Sequence, residues 1–383
     1  MSDSNGLVAS PAATEALQAR IRAALADIDR AGLRRVLRPP VGIDLSSNDY
    51  LGLAQHPRLK QRMIAAVEEL GCGSTGSRLL RGERDCFSAI EKRFAEFKGT
   101  ERALYFSSGY LANLAVLTTF PQAGDTIYSD ERNHASLIDG TRLSKALRVI
   151  YPHSQTPQVQ ASSVGEQQFI VTESVFSMDG DVAPLKALAA VGRPLIVDEA
   201  HAVGIYGQRG SGLIEELGIG KDVFLSINTA GKALGVAGAF VAGPAWAIEY
   251  LIQRARPFIF STAPPPAVAA ALDAALDVIA DEPERRSSLR AISKHLRASL
   301  NNAGISVPDG DSPIIPIMLG DNDRAIRVAE EMQHQGFDVR AIRPPTVPVG
   351  TSRLRVSVNV LLSEDILERF VTVLQKTICA ATS

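Results

Sequence analysis

Pro194-Leu195-Ile196-Val197-Asp198-Glu199-Ala200-His201 is the stretch on which the fold turns. An apolar run leads straight into a carboxylate, the pattern of a strand buried on both faces that ends in a charged group. Open α/β sheets place ligands at the carboxyl ends of such strands. A carboxylate there needs a cation, donors or water to offset its desolvation. Taken alone, Asp198 reads more readily as half of a structural ion pair. The sequence Asn228-Thr229-Ala230-Gly231-Lys232-Ala233-Leu234-Gly235 reverses that preference. It follows another strand-like run, Val223–Ile227, and sets Lys232 among small residues that let an amine approach a planar ligand. A desolvated lysine shifts to lower pKa and becomes a nucleophile. A lysine that forms a Schiff base and a strand-end aspartate that keeps a pyridine nitrogen protonated are what pyridoxal 5'-phosphate (PLP) enzymes require. The competing reading of Lys232 is an exposed loop lysine.

Outward from this pair the same rhythm repeats. Apolar runs at Ala103–Phe106, Thr126–Tyr128, Leu147–Tyr151, Phe169–Thr172, Leu195–Val197, Val223–Ile227 and Ala239–Ala242 alternate with helical patterns at 110–119, 134–146, 184–191 and 244–255. This alternation predicts a mostly parallel sheet covered on both faces. Phe106-Ser107-Ser108-Gly109-Tyr110 carries a strand into a helix through small residues, and free N–H groups at that helix start suit a phosphate. Amphipathic helices are expected from Glu15 to about Leu37, ended by Pro39-Pro40, from Pro57 to Leu70, and from Asp85 to Phe97. An Ala-rich helix from Pro265 to about Ile279 leads to a boundary at Asp281-Glu282-Pro283. Beyond it come a helix (284–302), a strand (313–319), a helix (322–335), extended pieces at 339–342 and 354–358, and a terminal helix from Ser363. The expected organisation is an N-terminal arm and helix (1–45, with residues 1 to about 15 frayed), a large α/β domain (46–282) and a smaller α+β domain (283–383).

Composition narrows the function classes. The 383 residues carry 40 Lys+Arg against 42 Asp+Glu, so nothing in the charge supports a nucleic-acid or membrane-surface role. The window 263–280 holds three prolines, Asp273 and Asp277, which rules out a membrane span. Met1 to Thr14 lacks the pattern of a signal peptide. Cys72, Cys86 and Cys379 form neither a CxxC pair nor an even framework, so the expectation is a reducing, cytoplasmic setting without structural zinc. Cys86 and Cys379 read as small hydrophobes on helix faces. Gly71-Cys72-Gly73-Ser74-Thr75-Gly76 spells GxGxxG, but it follows a helix and opens no βαβ unit. Asp198-Glu199-Ala200-His201 spells a helicase box, but no Gly-Lys pair here continues into Ser or Thr. His134, opening a helix after the Thr126–Tyr128 strand, and His201 lie near the proposed site. His56, His153, His295 and His334 read as surface or satisfied core residues, and their spacing gives no metal site.

These pieces, in this order, resemble the α-oxoamine synthases, fold-type I PLP enzymes of aspartate-aminotransferase-like architecture that join an amino acid to an acyl thioester with decarboxylation. The resemblance runs from about Arg20 to Leu374. It rests on Ser47-Asn48-Asp49-Tyr50-Leu51-Gly52, Gly73-Ser74-Thr75-Gly76-Ser77-Arg78, Thr172 to Asp181, Asp198 to His201, and Thr229-Ala230-Gly231-Lys232. The run Arg343 to Arg355, with Gly320-Asp321-Asn322, is similar to the branch that takes L-alanine and a pimeloyl thioester, carried by CoA or an acyl carrier protein, in biotin biosynthesis. Sister acyltransferases using glycine or serine, and a non-catalytic binding protein on the same fold, are the alternatives.

The resemblance implies that Lys232 carries PLP and Asp198 faces its ring nitrogen. It implies that His201 and Ser177 hydrogen-bond the cofactor, that His134 stacks on it, and that Gly109, Tyr110 and Thr229 lie at its phosphate. Arg355 would take the amino-acid carboxylate, with Asn48, Arg34 and Thr346 at the substrates. It also implies a homodimer in which Ser261 and Thr262 reach the partner's phosphate. The chain departs from the family at Cys86, where many relatives have histidine, at Asn359-Val360-Leu361-Leu362 and at Ala230.

Overall fold

The computed structural model describes residues 11–161 and 165–381. Much of the frayed arm expected over the first residues lies outside them, and the chain is already helical from Pro11. Helix α1 (Pro11–Arg30) ends before the expected Leu37. Gly32 adopts φ 63° and Leu33 donates its N–H to Ile28 O, closing the last turn. A glycine in the left-handed region is a stronger stop than the prolines further on.

The chain continues through β1 (Ile43–Asp44), α2 (Pro57–Leu70), α3 (Asp85–Lys98), β2 (Arg102–Phe106), α4 (Gly109–Thr119), β3 (Thr126–Asp130), α5 (Ala135–Leu143), β4 (Leu147–Tyr151), β5 (Gln168–Glu173), α6 (Leu185–Ala189) and β6 (Leu195–Asp198). Next come α7 (Leu213–Leu217), β7 (Leu225–Thr229), β8 (Ala239–Gly243), α8 (Ala245–Arg254), α9 (Arg256–Ile259), α10 (Pro266–Asp281) and α11 (Glu284–Asn302). The last elements are β9 (Ile314–Gly320), α12 (Asn322–His334), β10 (Phe337–Asp338), β11 (Arg340–Ile342), β12 (Ser352–Ser357) and α13 (Glu364–Ala380).

Each of the seven apolar runs enters one sheet, in the order β2-β8-β7-β6-β5-β3-β4. All neighbours are parallel except β8, which runs against both β2 and β7. β7 starts two residues later than expected because a short 3-10 turn, Gly220–Asp222, precedes it. Strand β6 shows why its residues are apolar throughout. Leu195 and Val197 join the core on one face and Ile196 the core on the other, against α4, α5 and α8. A second sheet, β11-β12-β9, is antiparallel, and β1 pairs with β10 beside it. Gly71 caps α2 and the following glycines lie in a loop between helices, so the GxGxxG letters form no dinucleotide turn. Cys86 packs against the core as expected, but Cys379 is exposed on α13. No described helix is long and apolar enough to cross a membrane.

The loop that leaves β6 is pinned by a buried ion pair. Lys98, at the end of α3, donates to Glu199 Oε2 and to Ser211 O, and Glu199 Oε1 accepts from Ile214 N–H at 3.0 Å. The two side chains are 2% and 0% exposed. Removing one partner strands a buried charge, which costs about 3–5 kcal/mol. Lys98→Met should therefore lower the urea midpoint sharply. An unchanged midpoint would show that the pair does not hold the loop.

Candidate active site

Asp198 ends β6 and is 5% exposed. Its Oδ1 accepts the Ala200 N–H at 2.9 Å and its Oδ2 accepts the Asn113 side-chain amide at 2.7 Å. Among the described residues no cation stands within ion-pairing distance. Asn113 lies one turn into α4, and its amide also donates to Ser136 Oγ at 2.9 Å. Ser136 Oγ in turn sits 2.7 Å from His134 Nδ1, which also accepts the Ser136 N–H and so caps α5. Two acceptor contacts at Nδ1 assign the imidazole proton to Nε2. His134 is exposed on its open side, yet partial burial and then the nearby Lys232 charge push its pKa down against the pull of Asp198.

Glu173 stands beside Asp198, because β5 and β6 are parallel and pair these two residues in register. It is 3% exposed and accepts the His134 N–H at 2.6 Å. Burial first, and the like charge of Asp198 second, push its carboxyl well up toward the protonated form. Two adjacent buried carboxyls do not both ionise readily.

Lys232 lies just past the end of β7, the strand next to β6. Burial, opposed by Asp198 and Glu173, pushes its amine down to about 8. Its Nζ is 2.8 Å from His201 Nε2. His201 is itself buried, and desolvation together with Lys232 keeps it well below the ordinary histidine range. From there a chain of hydrogen bonds runs outward. His201 Nδ1 is 2.8 Å from Tyr50 Oη, whose O–H donates to Asn48 Oδ1 at 2.9 Å. Arg355, on β12, donates through Nη2 to Asn48 Oδ1 at 3.0 Å and to Tyr50 Oη at 3.3 Å. It also donates to Ser357 Oγ at 2.8 Å and to the Ser177 carbonyl.

At the far end of the site, Ser108 caps α4 by accepting the Leu111 N–H, and its carbonyl takes the Ala112 N–H. The N–H groups of Gly109 and Tyr110 are left for an anion. A side chain on Gly109 would collide with Thr229 Oγ1, so only glycine lets these two elements meet. The donor set fits PLP: a nucleophilic amine, a buried carboxylate with no cation of its own, an imidazole, and a helix start at the phosphate end.

The sequence over residues 40–374 matches the model of the aminotransferase class I and II family. The chain belongs to the aminotransferase class I and II family. This aminotransferase-family chain is 46% identical over 360 residues to an 8-amino-7-oxononanoate synthase of Anaeromyxobacter dehalogenans, covering 88% of this chain and 90% of the relative. It is 44% identical to one of Burkholderia orbicola, covering 90% and 91%. Among solved structures, an 8-amino-7-oxononanoate synthase from Francisella tularensis superposes with a TM-score of 0.79 at 32% identity, covering 89% of this chain and 99% of that one. A serine palmitoyltransferase from S. paucimobilis with a bound PLP–myriocin adduct gives 0.86 at 27% identity, covering 95% and 98%. PLP is the cofactor of this family member, and its fold is the fold-type I α/β architecture.

The structure thus brings together Lys232, Asp198, His134, His201, Asn48 and Arg355, with Gly109 and Thr229 in mutual contact. Ser177 joins them through its carbonyl. Tyr110 is half exposed, and its hydroxyl donates to Asp139. Arg34 and Thr346 stand apart from this cluster, lining a separate cavity of about 650 Å³. There Arg34 is exposed and holds Asp29 through two N–H groups, at 2.6 and 2.7 Å. Ser261 and Thr262 line a different small cavity with Arg78 and Ser107. Glu173, Asn113, Ser136 and Tyr50 complete the network.

Because burial favours the neutral Lys232 amine, capture of PLP by the cofactor-free protein should speed up as pH rises through about 8 and then level off. A rate still climbing toward the ordinary lysine range near ~10.4 would contradict this. Growth of visible absorbance after mixing reads the rate.

Proposed function

We propose that the protein joins L-alanine to a pimeloyl thioester, carried by CoA or an acyl carrier protein, to give 8-amino-7-oxononanoate, CO2 and free thiol. The observation that carries this reading is the half-buried Lys232 amine near Asp198, connected through His201 and Tyr50 to Arg355. The relatives bearing that enzyme's name add to it. Bound PLP supplies an electron sink for breaking bonds at the α-carbon of an amino acid.

The chain's residues supply the rest. Lys232 would hold the cofactor and then, as a free amine of lowered basicity, take and return the α-proton. Asp198, fixed by the Asn113 amide and the Ala200 N–H, would keep a proton on the ring nitrogen. His201 and Ser177 would hydrogen-bond the cofactor, and His134 would cover one ring face, leaving the other to Lys232. Gly109, Tyr110 and Thr229 would take the phosphate. Arg355 spends four of its five N–H groups on protein acceptors. The fifth, on Nη1, and the long contact to Tyr50 can turn to an amino-acid carboxylate in paired, charge-assisted bonds.

Arg34 and Thr346 share their cavity with Arg35, Arg38, Arg340 and Arg343. Arg34, Arg38 and Arg340 are paired with Asp29, Glu330 and Asp338, which leaves Arg35 and Arg343 to suit the free carboxylate of a pimeloyl chain. Exposed Leu80 and Phe260 flank the bridge between Ser77 and Thr262. That apolar surface supports a homodimer in which Ser261 and Thr262 reach the partner's phosphate end.

The test is CO2 release from L-alanine, glycine and L-serine, each paired with pimeloyl-, acetyl- and palmitoyl-CoA. The alanine–pimeloyl pair should exceed every other by roughly 10-fold or more. Faster release from glycine with acetyl-CoA or from serine with palmitoyl-CoA would assign the chain to a sister activity. Lys232→Ala should abolish turnover. Arg355→Lys should raise the KM for alanine by roughly 10–100-fold, because an ammonium cannot form the paired bonds. Unchanged kinetics in either variant would contradict its assigned role.

A further inference from the structure

One histidine that the sequence leaves as a bland core or surface residue is held unlike any other. His153 sits between two carboxylates, with Nδ1 3.0 Å from Asp130 Oδ1 and Nε2 2.6 Å from Asp181 Oδ2. Ionised carboxylates only accept, so both contacts are satisfied together when each ring nitrogen carries hydrogen. The edge of the ring meets the buried Phe176, with centroids 4.4 Å apart and planes at 84°. The next residue, Ser154, adopts φ 55°, a conformation that costs a non-glycine residue energy. In that conformation its N–H reaches Asp130 Oδ2 at 3.2 Å and its hydroxyl reaches Asp181 Oδ2 at 3.3 Å.

What the clamp grips is the turn between β5 and α6. That turn closes on itself through the Val175–Val182 bridge, the Phe176 N–H to Asp181 O bond at 3.0 Å, and the Gly180 N–H to Phe176 O bond at 2.8 Å. Its opposite flank is held by Arg353 on Asp179 Oδ1 and by Arg132 on Asp179 Oδ2 at 3.2 Å. Two residues before Asp179, in the same turn, is Ser177, whose carbonyl accepts from Arg355 Nε. We propose that His153 is a positioning residue for Arg355: it ties the 175–182 turn to the ends of β3 and β4, so that Ser177 O fixes the guanidinium in line for the amino-acid carboxylate. The proposal rests on Arg355 being the carboxylate-binding residue of the reaction above. No contact of His153 with substrate or cofactor is needed.

The test compares His153→Gln with the parent protein. Glutamine keeps one donor and loses the second, so the Asp181 or the Asp130 anchor is lost. Two readouts are taken: the KM values for L-alanine and for the acyl thioester alongside kcat, and hydrogen exchange of the amides of 175–182 in the cofactor-free protein. The expected result is an alanine KM raised by about 10-fold, an acyl-thioester KM changed by less than about 2-fold, and faster exchange at Phe176 and Gly180. Asp181→Ala, which removes the acceptor at the outer side of the clamp, should reproduce the split and serves where His153→Gln does not fold. An unchanged alanine KM with unchanged exchange would overturn the proposal, as would kcat and both KM values deteriorating together. If the parent protein does not use alanine, the function assigned above fails, and the exchange of 175–182 still decides whether His153 holds the turn.

Discussion

A half-buried amine and a buried carboxylate at the ends of two neighbouring strands set the terms for everything around them. Lys232 and Asp198 form no direct ion pair with each other. Each instead receives hydrogen bonds or contacts from uncharged groups: His201 for the amine, the Asn113 amide and the Ala200 N–H for the carboxylate. A protein keeps two such groups buried and apart only where a ligand is to complete them, since unpaired buried charge is costly. The parallel sheet makes the arrangement possible, because β6 and β7 deliver both residues to the same edge while helices exclude water from either face.

The same constraint explains the groups one step further out. Glu173, in register with Asp198, is a second buried carboxyl in the site, and burial together with the neighbouring Asp198 charge pushes its pKa up. It accepts the His134 N–H and so ties the start of α5 to the end of β5. His201 cannot readily become cationic beside Lys232 and Arg355, so it stays a neutral relay between the amine and Tyr50. Arg355 brings a permanent positive charge to the outer end of this chain of hydrogen bonds, where the proposed reaction would place a substrate carboxylate. Its guanidinium is fixed by elements that are far apart in sequence, including the Ser177 turn and Asn48.

The sheet was legible because each of its seven strands is a short apolar run bounded by polar or small residues. Helix ends were less so: proline at 39 and 40 drew the eye, while Gly32 sets the actual stop of α1. Asp198 and Lys232 stood out because each interrupts an apolar or small-residue context with a group that must be satisfied. Glu173 has the same signature, an acid ending the buried run Phe169–Thr172, and the logic applied to Asp198 identifies it equally well. Asn113 and Tyr50 offered no such signal. Their partners, Asp198 and His201, lie 85 and 151 residues away, and only the folded sheet shows that these side chains meet. Arg34 marks the opposite limit, a residue named by resemblance that lies with Thr346 in a cavity apart from the Lys232 cluster.

All of this depends on Lys232, and no other amine, being the group that captures the cofactor. Reducing the PLP-loaded protein with borohydride, digesting it and mapping the modified peptide tests this directly. A single pyridoxyl label is expected, on the peptide containing Thr229-Ala230-Gly231-Lys232. A label on Lys98 or on a surface lysine, with Lys232 unmodified, would contradict it.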